Sequence, residues 1–284
     1  MMNGKIFLIL ILLCLMVAVP AEANGGPHGD YTATTDRCAA CHRAHTATGD
    51  NLLMASSTTD LCFTCHGSGS TGANTNVVDG VFVAGRGGDE GTNTPPNAAL
   101  LGGLFSSSAT STHDISGTND QAWGAGGYRG QLGAIDQPLD CASCHDPHGS
   151  PNYRIIKETI NGVSVTVSQS DETNKDYSTA NWARNQSYIC GACHDPYQNA
   201  AKYANDLSHT HTVDNVYSGS TTFTDGTDTV SVSLANGYIV CQTCHFPHGT
   251  KAQMTGYASG AGPAQSSALL RQDNRGVCQS CHQK

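Results

Sequence analysis

Twelve of the thirteen cysteines in this 284-residue chain stand in six Cys-x-x-Cys pairs, and a histidine follows each pair at once. The pairs are Cys38/Cys41, Cys62/Cys65, Cys141/Cys144, Cys190/Cys193, Cys241/Cys244 and Cys278/Cys281, followed by His42, His66, His145, His194, His245 and His282. Histidine is 13 of 284 residues, so six such coincidences would arise by chance at about one in 10⁸. Whatever the chain folds into has to organise six chemically equivalent clusters.

Three uses of paired cysteines do not need that histidine. They are a disulfide scaffold, zinc ribbons and thioredoxin-like redox sites. Covalent attachment of c-type haem does need it. Two thiols add across the vinyl groups of one porphyrin, and the adjacent His supplies the proximal nitrogen to the iron. The sequence therefore predicts six covalently attached haem c groups, tethered by the twelve paired cysteines, with the six following histidines as proximal ligands. On these motifs the chain resembles multihaem c-type cytochromes, in particular those with doubled haem motifs. The resemblance covers the motifs and leaves the long segments between them unaccounted for. It implies electron transfer with no catalytic site. Some cytochromes of this kind polymerise into extracellular current-carrying filaments.

Composition agrees with a cofactor-filled interior. Aromatic residues are 6% and hydrophobic residues 38%, which is thin for a side-chain core. The formal charge is −9 with no basic run, which excludes nucleic acid as a partner. The fold class expected is mostly coil with few short helices and a few short β-hairpins, draped on stacked haems. Residues 1–23 read as a secretory signal peptide: Lys5, an apolar run over Ile6–Val19, then the small-x-small site Ala21-Glu22-Ala23. That run is shorter than the roughly 20 residues a membrane span needs. Leu13 stands before Cys14 where a lipidation site wants a small residue. No later stretch is apolar enough to span a membrane, so none is expected in the mature chain.

The motifs alternate in type. Three carry a second histidine three residues on, giving His45, His148 and His248; the other three do not. The chain therefore groups into three two-haem units, set at 24–110, 111–203 and 204–284. Each unit has a histidine upstream of its first motif: His28, His113 and His211, with His209 extra. An aliphatic residue precedes each second motif (Leu61, Ile189, Val277), and an apolar pair follows each first motif (Leu52-Leu53, Ile155-Ile156, Leu269-Leu270). Six haems then have six distal candidates, His28, His45, His113, His148, His211 and His248, and bis-histidine ligation is expected throughout. Met54 and Met254 are read as packing residues. If His-x-x-His lies on one helical turn, the second imidazole reaches a neighbouring haem. That haem is assigned to the second motif of the same unit, and the upstream histidine to the first motif.

Between the motifs, Gly/Ser/Thr/Asn-rich sequence reads as loop. Strand patterns occur over 77–84, over 160–170 after Asn161-Gly162, and over 221–240 with a turn at Asp225-Gly226. Trp123 and Trp182 are expected to pack on porphyrins. Pro147 and Pro196 are expected to end the helical turn after their motifs. The partners expected are redox proteins or extracellular acceptors, and a homopolymer in which His28 ligates a haem of the next copy. Export is expected, with the cell surface or exterior favoured over the periplasm.

Overall fold

The computed structural model describes residues 28, 38–70, 72–84, 97–127, 130–167, 184–198, 211–255 and 267–283. The expected signal segment, His209 and Trp182 lie outside them. Regular structure is sparse and short, as expected. Six α-helical pieces occur among the described residues: α1 (Thr58–His66), α2 (Cys141–Cys144), α3 (Ser187–Gly191), α4 (Asp195–Gln198), α5 (Cys241–Cys244) and α6 (Gly276–His282). Five of them carry haem motifs. The sixth, α4, follows one. Pro196 lies in its first turn, where its missing N–H has no helical partner to lose, so Pro196 opens a turn rather than ending one.

Among the described residues the strands form six two-stranded antiparallel ladders. Four are local hairpins: β1 (Thr75–Asn76) with β2 (Val81–Phe82), β4 (Gln121–Trp123) with β5 (Leu132–Ala134), β6 (Thr159–Ile160) with β7 (Val163–Ser164), and β9 (Thr222–Asp225) with β10 (Asp228–Ser231). Asn161 and Gly162 make the β6–β7 turn with φ of 49° and 71°, the left-handed pair that suits strand twist. Two ladders join distant segments: β8 (Asn215–Val216) with β11 (Tyr238–Ile239), and β3 (Ser111–Thr112) with β12 (Gly249–Thr250). The last pins the second unit's entry to the end of the third unit's first motif.

Side-chain cores are small. One gathers Ile156, Ile160, Val165, Val167 and Ala192; another is Ala235 with Val240. Asn152 braces the first, accepting from the Val167 N–H at 2.8 Å and donating to the Val165 carbonyl at 2.9 Å. Arg271 braces the third unit: its guanidinium stacks on Phe246 at 4.1 Å and donates to the Gln242 and Leu101 carbonyls. No helix among the described residues is long and apolar enough to cross a membrane.

Candidate haem-binding site

The Cys-x-x-Cys-His motifs wind into single helical turns. In the first, the His42 N–H donates to the Cys38 carbonyl at 2.8 Å; His145 and His245 do the same with Cys141 and Cys241, each at 3.0 Å. One turn puts both thiols and the ring on neighbouring positions of one short surface. Local caps define where the turns start. The Ser57 hydroxyl accepts from the Asp60 N–H at 3.0 Å, and the Ser143 and Thr243 hydroxyls accept from the Asp140 and Val240 N–H groups.

The proximal rings are then oriented from behind. His42 Nδ1 donates to the Asn51 carbonyl (2.8 Å), His145 to Arg154 (3.0 Å) and His245 to Ala268 (2.7 Å). A carbonyl has no proton to give, so Nδ1 carries the hydrogen and Nε2 keeps its lone pair, as a metal ligand requires. All three acceptors sit in the same unusual backbone. Two successive residues have positive φ: Asn51 and Leu52, Arg154 and Ile155, Ala268 and Leu269. The next residue bridges back to the histidine backbone, as Leu53, Ile156 and Leu270. The apolar pair after each first motif is this device. Among second motifs, His66 Nδ1 meets the Thr75 hydroxyl at 2.7 Å and His194 Nδ1 donates to the Trp123 carbonyl at 2.6 Å. Trp123, read as a porphyrin-packing residue, thus also supplies a backbone acceptor. Its side chain is exposed.

Five of the six proximal rings face a second histidine ring. The pairs are His28–His66 (6.1 Å between centroids), His42–His148 (6.2 Å), His113–His194 (6.2 Å), His145–His248 (6.4 Å) and His211–His282 (5.9 Å). A metal–imidazole bond of about 2 Å on each side of one ion places two ring centroids roughly 6 Å apart. The spacing therefore fits two imidazoles on opposite faces of one haem iron. The histidines meet in twos: no group of three or more His, Cys, Asp or Glu side chains converges among the described residues.

The pairing runs opposite to the expected assignment. Upstream histidines face second-motif rings, and the His-x-x-His histidines face the first-motif ring of the preceding unit. The reason is the backbone after the proximal residue. His145 (φ −108°, ψ 143°) and His245 (φ −118°, ψ 145°) are extended, so the chain leaves the helical turn there. His148 and His248 are carried toward the previous unit. Likewise His28, expected to reach another copy, faces His66 of its own chain. His45 faces no ring, and no ring faces His245, among the described residues.

Burial pushes His66, His113, His145 and His194 below the usual histidine range, and His248 down to about 3. All five are thus neutral at pH 7, the ligating form.

The thiols show how the motifs follow one another. Cys62 and Cys141 are hydrogen-bond partners, as are Cys190 and Cys241; each bond raises one thiol and lowers the other. Burial first, and then Cys65 and Cys38, raise Cys41. Burial followed by Cys193 raises Cys144 to about 12, and burial followed by Cys281 and Cys278 raises Cys244 to about 11. Every motif is therefore near the next in chain order.

No curated protein and no solved structure matches this chain. Residues 28–71 and 135–163 match the model of the doubled CXXCH motif family, covering the first motif pair with His28 and the third motif with its His-x-x-His. The match indicates likeness to multihaem, haem-binding proteins of the c-type cytochrome kind.

Proposed function

We propose that this is an exported electron-transfer cytochrome holding six haem c groups in single file, in motif order, between paired imidazoles. The carrying observation is the set of five imidazole pairs at 5.9–6.4 Å, joined by thiol proximities that link each motif to the next. A haem so held supplies a one-electron iron couple, tuned low because imidazole replaces the Met ligand that raises potential in small cytochromes c. The chain does the rest. Cysteines tether each group at both vinyl positions, carbonyls fix the proximal tautomer, and burial keeps His113 and His248 unprotonated. Upstream histidines (His28, His113, His211) serve the second haem of each unit. His148 and His248 serve the first haem of the unit before, so each such residue locks adjacent units together. Surface or extracellular location and a filament form complete the reading.

The test is haem content by alkaline pyridine spectrum and intact mass, with the spin state of the oxidised protein. Six haems per chain with at least five low-spin irons are expected; fewer than five low-spin irons would refute the pairing. A second reading has one observation in its favour. His245 faces no imidazole among the described residues, and an open iron there is what a reductase needs. Binding of nitrite or hydroxylamine to that iron, followed by turnover, would establish it.

A further inference from the structure

We propose that the joint between successive copies of this chain repeats the joints inside it, with His45 of one copy completing the haem site that His245 of the preceding copy begins. This rests on the haem reading above. Three contacts recur wherever one unit meets the next. Between the first and second units, His148 faces His42 at 6.2 Å, His28 Nδ1 donates to the Pro147 carbonyl at 3.2 Å, and Cys62 lies beside Cys141. Between the second and third, His248 faces His145 at 6.4 Å, His113 Nδ1 donates to the Pro247 carbonyl at 2.5 Å, and Cys190 lies beside Cys241.

Carrying the pattern one unit further names six groups. The third unit would reach out with the His245 ring, His211 Nδ1 and Cys278. The first unit would receive them with His45, the Ala44 carbonyl and Cys38. Ala44 and His45 stand where Pro147-His148 and Pro247-His248 stand in their units. None of the six has the corresponding contact among the described residues. All are exposed: Cys38, Ala44, His45, His211, His245 and Cys278. Of the twelve motif cysteines, only Cys38 and Cys278 are exposed, and the other ten are half-buried. Two faces of one chain are thus complementary in ligand, hydrogen bond and thiol position. Different faces meeting make a heterologous contact, which propagates head to tail. The sixth motif of one copy then lies beside the first motif of the next, as motifs two and three do within the chain.

The experiment compares haem-loaded full-length wild type, His45→Ala and His209→Ala for haem content, sedimentation across concentration, and spin state. Wild type and His209→Ala are expected to assemble as protein concentration rises, with all six irons low-spin when assembled. His45→Ala should stay monomeric with six haems and one iron in six high-spin, converted to low-spin by added imidazole. The other five low-spin signals report that the variant is folded. Assembly of His45→Ala with six low-spin irons would overturn the proposal. So would a monomeric wild type at every concentration, or a high-spin iron produced by His209→Ala instead. A missing haem at Cys241/Cys244 would refute the underlying haem reading, and this joint with it; a full haem count with any overturning result refutes the joint alone.

Discussion

The first-motif histidines depend on a backbone that most residues avoid. Asn51, Arg154 and Ala268 offer their carbonyls to His42, His145 and His245 with φ of 55°, 55° and 47°. A left-handed L-residue costs roughly 1–2 kcal/mol, and glycine escapes that cost while losing about 0.5–1 kcal/mol of chain entropy. Ala268 is exposed and has only a methyl group to lose. Ala268→Gly is therefore expected to stabilise the third unit by about 0.5 kcal/mol, read from denaturant unfolding; a loss of stability would show that the cost is absorbed elsewhere. Asp60 gives a pH-dependent counterpart. Hydrogen bonds from Ser56, at 2.7 Å, and Ser57 hold its carboxyl below the usual aspartate range. Its folded value is depressed, so its contribution is present above the ordinary value of about 3.9 and is lost as pH falls through the lower folded value. In Ser56→Ala that loss should begin at higher pH, seen as an upward shift of the Asp60 carboxyl titration in the reduced, diamagnetic protein.

Among elements, those written in short-range chemistry were readable and those made by distant pairing were not. The Asp225-Gly226 turn was expected and closes β9 on β10. Asn161-Gly162 marked a turn correctly, but the strand expected to follow over 160–170 is a hairpin ending at Ser164. Val165 and Val167 alternate inward because the Asn152 side chain takes the Val165 carbonyl and the Val167 N–H, while the Glu158 carbonyl and the Tyr153 N–H take the other two groups. The alternation seen in the sequence was real burial with a different cause. The patch over 77–84 contributes only Val81–Phe82 to a ladder. The β4–β5 hairpin and the β3–β12 ladder carry no local signal. The former has a glycine-rich connection, and the latter joins segments more than a hundred residues apart. Spacing and repeat named the motif cysteines and the twelve ligand candidates, ten of which face one another in five pairs. Which ring meets which was not legible, because it depends on the extended backbone of His145 and His245, decided by bridges to Ile156 and Leu270. Asn152→Ala tests the brace. It strands a buried N–H and a buried carbonyl, each costing about 1–3 kcal/mol, so a loss near 3 kcal/mol is expected from the chemical denaturation midpoint; a loss under about 1 kcal/mol would mean water replaces the amide.

For the whole molecule, the side chains alone bury little. Fourteen described hydrophobic residues are buried and four of them are alanines, scattered over two small clusters and isolated positions. The six turns that carry the motifs have no continuous apolar layer to dock on. Binding of the cofactors and folding are then one free energy, as in small metal-dependent domains. Chain exported from a host unable to attach haem is expected to lack a cooperative thermal transition and to be degraded; a sharp transition in the haem-free chain would show a self-sufficient protein core. The proposed single-file order predicts a behaviour of the intact molecule. Cys144 lies near Cys193, and Cys190 lies near Cys241, so among the described residues the cysteines of the fourth motif stand between those of the third and the fifth. Cys190→Ala with Cys193→Ala should leave five haems and divide the line into three and two. Cys38→Ala with Cys41→Ala also leaves five, but as one unbroken run. Under a substoichiometric reductant followed by rapid optical mixing, the first variant should equilibrate in two separated phases and the second in one. Equal behaviour would mean that electrons bypass the fourth site, and that the motifs branch rather than follow one another.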